Sequence, residues 1–564
     1  MKPKKLLVVG GVAGGASCAA RARRLSEEAE IIVFERGPYA SFANCGLPYY
    51  VGNIIKKEDD LLVASPELFR DRFNIDVRTG HNVRQVFPQQ KAIEVQVVAT
   101  GRTYRESYDA LVLSPGSEPI KPALEGTELP GIFSLWTIPD SREIIHWINS
   151  RPIQRAVVVG GGFIGLEMTE NLKKLGIQTT IIEMQPHLMP SLDPEMAAFL
   201  HDHLTANGIT LCLNSAVAAF KPDKDAISVL LSSGRTVPAD LVILSVGVRP
   251  RTELAVSAGL KIGETGGIWV DDRMQTSDKH VWAVGDAVEI KDVVTGLKRL
   301  IPLAGPANRQ GRIAADNIFD DGSKPHRFRG SQATAVCGVL GLTVASTGVS
   351  ETYLKKTCET EASPGYEKIY LHPDHHAGYY PDAKTITIKL LFSKTDGRIL
   401  GAQAIGLAGV EKRIDVIAMA IQKNATVFDL EEAELCYAPQ FGSAKDPVNL
   451  AGMIAANVLR RYVSVGHWQD LTNSEVLILD VRTPREYRKG HLTNAVNIPL
   501  DMLRSRLDEL PRDREIWTHC FVGQRSYYAA RILEQHGFKV RNLSGGFRLQ
   551  PAVERFQSLL KQGH

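Results

Sequence analysis

Cysteine is scarce in this chain. Seven stand in 564 residues, an odd number without paired spacing, which argues against a disulfide framework and for a reducing, cytoplasmic setting. No second cysteine follows Cys45 within five residues, so no local redox disulfide can form there. Long apolar runs are also missing, since none reaches the about 18 residues that argue for a membrane span. The net charge is only +3, without the clustered basic residues that a nucleic-acid surface needs. With 44% hydrophobic and 23% charged residues the composition is ordinary and globular. Its length predicts roughly three to five domains.

The N-terminus resembles a secretory leader, because Lys2, Lys4 and Lys5 precede an apolar run. Gly10, Gly11, Gly14 and Gly15 interrupt that run, and it passes into Arg21, Arg23 and Arg24. A strand over residues 5–9, a glycine turn and a helix explain the segment better. A second strand over residues 31–34 ends at Glu35, twenty residues after Gly15. This is the layout of a dinucleotide-binding unit. Glycines let the backbone approach a pyrophosphate at a helix N-terminus, and the acid takes a ribose hydroxyl. Gly10, Ala13, Gly14, Gly15, Glu35 and Arg36 are its expected cofactor residues, although Val12 stands where the second glycine belongs.

A second copy is cleaner. Residues 156–159 lead into Gly160, Gly162 and Gly165, and a strand over residues 179–182 ends at Glu183. Glu183 suits a ribose 2′-hydroxyl and repels a 2′-phosphate, so NADH is expected over NADPH. Two further strands run into Gly116 and Gly247, and another into Gly285-Asp286.

With these motifs, residues 1–455 resemble the flavin- and pyridine-nucleotide-dependent disulfide reductase superfamily. The resemblance implies that Asp286 holds the ribityl chain of FAD, and it places Gly116 and Gly247 in the nucleotide sites. It also implies an α/β architecture. FAD would be bound by residues 1–120 and 266–325 and NADH by residues 150–265, both in Rossmann-like domains. Residues 326–455 would form an α+β domain through which the chain forms a homodimer.

Ser41-Phe42-Ala43-Asn44-Cys45-Gly46-Leu47-Pro48-Tyr49-Tyr50 is similar to the single-cysteine branch of coenzyme A disulfide and coenzyme A persulfide reductases. That likeness implies that Cys45 is catalytic and that Ser17, Arg21, Arg24, Ser41, Asn44, Asn308 and Lys445 line a coenzyme A pocket. Asn44 would also face the cofactor. A guanidinium suits phosphate because it binds the oxygens as a fork. Tyr379 and Tyr437 resemble the branch's catalytic tyrosines, which reach the cysteine from the opposite subunit. Asn308 departs from the pattern, because relatives that reduce coenzyme A disulfide carry histidine there. That departure favours another substrate.

Residues 456–466 read as a linker and residues 467–564 as a separate α/β unit. In it a strand ends at His519, and Cys520-Phe521-Val522-Gly523-Gln524-Arg525-Ser526 lead into a helix. Backbone N–H groups converging on Cys520, the helix dipole and Arg525 would together stabilise a sulfur anion. The stretch from Asp480 to Gly546 resembles a rhodanese domain, with Cys520 and Arg525 as catalytic residues. Its six-residue loop favours sulfur transfer over phosphate hydrolysis. The expected function is therefore NADH-dependent reduction of persulfides or polysulfides, using FAD and coenzyme A and no metal. The alternatives are coenzyme A disulfide reduction, an NADH oxidase, and a sulfur carrier that does no reduction.

Overall fold

The computed structural model describes residues 4–320, 326–357, 365–471 and 476–562. Lys2, the expected domain boundary at 325 and the chain end at 564 lie outside them. The chain divides into two units, Met1–Ile182 with Val217–Ala333, and Glu183–Ala216 with Thr334–His564.

The first unit is built on two parallel sheets. In the first sheet the strand order is Val281–Ala283, Ala110–Leu113, Lys5–Val9, Glu30–Glu35 and Asp76–Thr79. Leu6, Leu7 and Val8 are fully buried in it, as the run of branched and apolar residues requires for a strand covered on both faces. The strand Val281–Ala283 thus completes a sheet begun more than two hundred residues earlier. The second sheet pairs Ile132–Ser134 with Leu241–Leu244, which pairs with Arg155–Val159, which pairs with Gln178–Ile182. Ile132–Ser134 precedes the span expected for this domain. Each nucleotide unit also carries a three-stranded antiparallel sheet that the motifs give no hint of. One is His81–Phe87, Ala92–Val97 and Thr103–Ser107, and the other Val217–Asp223, Ala226–Leu231 and Thr236–Ala239.

The second unit holds a five-stranded antiparallel sheet in the order Ala335–Val339, Leu342–Gly348, Ile399–Gly406, Ile386–Ser393 and Tyr366–Leu371. Its strands Ile386–Ser393 and Ile399–Gly406 are buried at every residue. A lysine in such a strand must be paired. The Lys389 ammonium lies among the carboxylates of Asp193, Glu195 and Glu351.

The same unit carries a parallel sheet ordered Val465–Gly466, Val540–Leu543, Ile516–His519, Leu477–Asp480 and Val496–Asn497. Val465 and Gly466 are therefore strand residues of this sheet rather than part of the linker. The preceding helix, Pro447–Leu459, also runs beyond residue 455. Among the described residues, no helix is long and apolar enough to cross a membrane.

Candidate active site

Both glycine turns are made the same way. Gly10 and Gly160 have φ of +96° and +103°, a region open to glycine. A Cβ there would lie 2.0 Å from the Ser114 carbonyl oxygen or 2.3 Å from that of Ser245. Ser245 adds its hydroxyl, which lies 2.9 Å from the carbonyl oxygens of Val159 and Gly160. Gly162 has no neighbouring atom within 4 Å of where a Cβ would stand, which leaves room beside that position of the turn.

Glu35 accepts the N–H of Gly11 at 3.0 Å on one oxygen and that of Gly37 at 2.8 Å on the other. Glu183 accepts the N–H of Gln185 at 2.9 Å. A carboxylate has about four acceptor sites, so Glu35 retains capacity for a ribose hydroxyl. The Arg36 guanidinium has lost much of its water, which lowers its pKa, with the nearby charge of Arg251 adding to the effect. Burial raises the carboxyl of Asp286, and only the Ser117 hydroxyl, donating at 2.8 Å, opposes that shift. A desolvated cation and a carboxylate short of donors are what FAD, with its pyrophosphate and ribityl hydroxyls, would satisfy.

Cys45 sits in the single turn Asn44–Gly46, just before the helix Leu47–Val51. It is exposed, but protein packed on one side still raises its thiol pKa. The carboxylates of Glu167 and Asp286 push it further in the same direction. Glu167, on the helix Phe163–Lys174, is itself raised to about 7, chiefly by burial, against the opposing hydrogen bond from Tyr49. Asn44 donates its amide to the Trp136 carbonyl at 3.2 Å, and Ser41 is buried.

Four of the expected coenzyme A residues, Ser17, Arg21, Arg24 and Asn308, fall on two helices, Ala13–Leu25 and Ala304–Phe319. Ser17 donates its hydroxyl to the side-chain oxygen of Asn308, which brings those two residues together. Arg21 is held by Asp316 at 2.6 Å, while Arg24 is exposed. Arg23, between them, is buried and donates to the carbonyls of Phe73, Ser26, Glu27, Ala29 and Asn74. Three arginines in one stretch thus have three different roles.

Tyr379, Tyr437 and Lys445 lie in the second unit. The two phenol oxygens are 2.9 Å apart, and that hydrogen bond raises the pKa of Tyr379. Tyr379 is 76% exposed and Lys445 is exposed beside the helix-capping Asp446. Arg413 was not foreseen. It is 1% exposed, donates to the His375 carbonyl at 2.6 Å and pairs with Asp446 at 2.8 Å. Ala377 donates its N–H to the Gly442 carbonyl at 3.0 Å, so the two tyrosine-bearing segments are stitched together.

In the C-terminal sheet Cys520 follows the strand Ile516–His519 and is 0% exposed. Its sulfur accepts the Gly523 N–H at 3.1 Å and the Ser526 hydroxyl at 3.5 Å. Arg525, in the first turn of the helix Gln524–Gln535, is gripped by both oxygens of Glu486 at 2.8 and 2.6 Å. Glu486 is drawn down to about 2, chiefly by that guanidinium. The positive charge expected near Cys520 is thus largely compensated. Burial pulls His519 down to about 4, so it adds no charge at neutral pH. The Gly523 amide and the Ser526 hydroxyl donate to the sulfur, and the Arg525 guanidinium interacts with it as well.

Residues 4–311 match the pyridine nucleotide-disulphide oxidoreductase family, and residues 334–446 match its dimerisation domain. Residues 467–549 match the rhodanese-like domain. A coenzyme A disulfide reductase of Staphylococcus epidermidis is 34% identical over 448 residues, covering 79% of this chain and 99% of that protein. Two solved structures extend over the C-terminal unit as well. The reduced CoADR-RHD of Bacillus anthracis is 45% identical with a TM-score of 0.95, covering 98% of this chain and 99% of its own. An NAD-dependent persulfide reductase from A. fulgidus is 37% identical with a TM-score of 0.89, covering 97% and 99%. With two glycine turns that suit FAD and a nicotinamide dinucleotide, and a family match over more than half its length, the chain belongs to the pyridine nucleotide-disulphide oxidoreductases as an FAD-dependent enzyme with a rhodanese-like domain.

Proposed function

We propose that the chain is an NADH-dependent reductase of persulfides and polysulfides, with coenzyme A as the bound carrier and hydrogen sulfide as the product. The observation that carries this reading is the second sulfur site. Cys520 accepts two donors at its sulfur in a loop of its own, on a chain whose Cys45 has no cysteine beside it.

FAD, once bound by residues 1–120 and 266–325, supplies the two-electron step between NADH and sulfur. NADH occupies residues 150–265, with Glu183 on its adenosine ribose. Cys45, as thiolate, attacks the inner sulfur of a carrier persulfide R–S–SH. The new bond is Cys45–S–S–R, and the expelled group is hydrosulfide. Two electrons then split that disulfide into Cys45 thiolate and R–S⁻. The sum is R–S–SH plus hydride giving R–S⁻ and hydrogen sulfide. Tyr379 and Tyr437, contributed by a second copy of the chain, donate the proton to the departing sulfur. A phenol is protonated at neutral pH, and the raised pKa of Tyr379 keeps it so. Ser17, Arg21, Arg24, Ser41, Asn44, Asn308 and Lys445 hold coenzyme A. Such thiol chemistry belongs in a reducing compartment.

The second reading is coenzyme A disulfide reduction, favoured by the Staphylococcus epidermidis relative, which matches the reductase half alone. Anaerobic turnover of the holoenzyme with NADH separates the two. Coenzyme A persulfide should release sulfide at a kcat/KM about tenfold or more above that for coenzyme A disulfide, the scale of one well-placed discriminating contact. Faster turnover of the disulfide would reject the proposal.

A further inference from the structure

The loop around Cys520 is fixed from outside its own sheet. The carbonyls of Cys520 and Phe521 accept the N–H groups of Phe547 and Arg548 at 2.8 and 2.9 Å. Gly546, immediately before them, has φ +59°. A Cβ on it would meet the Gly523 nitrogen and the Phe521 carbonyl oxygen at 2.7 Å, and the Cys520 carbonyl oxygen at 2.8 Å. The start of the helix Gly546–Gln562 is therefore the back wall of the loop. Its position sets the tilt of the Cys520 peptide and the aim of the Gly523 N–H at the sulfur.

Two contacts from the antiparallel sheet hold that wall. Tyr370 donates its backbone N–H to the Ser544 hydroxyl oxygen at 3.0 Å, and Tyr370 is anchored in turn by its phenol on Glu195 at 2.6 Å. The His372 Nε2 lies 2.9 Å from the Gly545 carbonyl oxygen, and its Nδ1 lies 3.0 Å from the Thr387 hydroxyl. A carbonyl only accepts, so Nε2 carries the hydrogen and Nδ1 accepts the hydrogen bond of the Thr387 hydroxyl. Burial keeps this imidazole uncharged, with a pKa of about 3.

We propose that His372 is a positioning residue for sulfur transfer at Cys520, holding the Gly545 carbonyl and through it the backbone that shapes the loop. This rests on the reading of Cys520 as a sulfur carrier. It makes the reductase half a structural partner of the sulfur-transfer half, and it locates the dependence in one side chain that touches neither reacting sulfur.

The test uses the full-length holoenzyme in a Cys45→Ser background, loaded with polysulfide and then treated with cyanide. Each Cys520 persulfide passes its outer sulfur to cyanide, giving thiocyanate and the Cys520 thiolate. His372→Leu, which removes the donor, should lower the rate constant for thiocyanate formation about tenfold, as small misplacements at reacting centres do. KM for cyanide and reduction of the flavin by NADH should not move. His372→Gln, which retains an N–H donor and an acceptor, should restore most of the rate. A Leu variant equal to the parent, or a Gln variant as slow as the Leu variant, overturns the proposal. If the Leu variant loses its flavin or its fold, Ser544→Ala takes its place. A smaller loss in the same direction then supports the proposal, and no loss overturns it. If the parent itself forms no thiocyanate, the reading of Cys520 fails and this inference falls with it. If the parent is active and the variants match it, only the inference fails.

Discussion

Cys45 is exposed and has acids behind it, whereas Cys520 is fully buried and has hydrogen-bond donors in front of it. At Cys45 both charged neighbours, Glu167 and Asp286, disfavour the thiolate. At Cys520 an amide and a hydroxyl donate to the sulfur, with the Arg525 guanidinium beside it. The first site therefore depends on its ligands to become reactive, and the second depends on its backbone. A thiol that stays protonated until cofactor and carrier arrive suits an electron-transfer centre, because a free thiolate there would be open to oxidation. A loop that is permanently formed suits a sulfur carrier.

The comparison breaks most sharply when each thiol is removed in turn. Cys45→Ser should keep the flavin and its reduction by NADH while NADH-dependent sulfide release falls to background. Loss of flavin from that variant would make Cys45 structural. Cys520→Ser should spare small persulfides, which can use Cys45 directly, and impair bulky protein persulfides that must first hand over their sulfur. Equal loss on all donors would show an obligatory relay instead, and no loss on any donor would leave the C-terminal unit without a part in reduction.

A smaller effect is expected at the nicotinamide end. Glu183→Arg exchanges a carboxylate for a phosphate-binding fork, and should shift the NADPH to NADH ratio of kcat/KM by about tenfold or more. A native enzyme that already prefers NADPH would refute the charge argument.

The residues legible in the sequence are those whose role is local. Gly10 and Gly160 mark the turns because their positive φ and close approach to Ser114 and Ser245 leave no other choice. Val12, where the second glycine of the motif is missing, caps its helix with a negative φ of −89°, so its backbone does not call for glycine. Arg413, Glu167 and His372 left no such trace, because their roles come from distant partners. Arg413 meets Asp446 across 33 residues and the His375 carbonyl across 38, and His372 meets Gly545 across 173. Glu486 is an intermediate case. Thr483 and Glu486 form a capping box three residues apart, a pattern visible in the chain, but nothing local shows that the same carboxylate holds Arg525.

The smallest effect we expect sharpens the account of Cys45. Glu167 titrates near 7 because burial disfavours its charge. Below that pH it is neutral and does not oppose the thiolate. As pH rises through 7 it ionises, and its charge pushes the thiol of Cys45 upward. Alkylation of Cys45 in the native protein should then rise with pH less steeply above 7 than below it. Glu167→Gln removes the charge, so its profile should lose that inflection. At pH 8–9 its rate should exceed the parent's about threefold, the size of a screened interaction of under about 1 kcal/mol. The stability of the fold supplies an independent check. A carboxyl raised from its ordinary 4.5 to about 7 binds more protons folded than unfolded between those values, so its ionisation costs stability as pH rises through that window. Thermal unfolding of Glu167→Gln should show a flatter dependence between pH 4.5 and 7 than the parent. Parallel curves in both measurements would mean that Glu167 neither titrates near 7 nor acts on Cys45, and the acids behind that thiol would be ordinary surface charges.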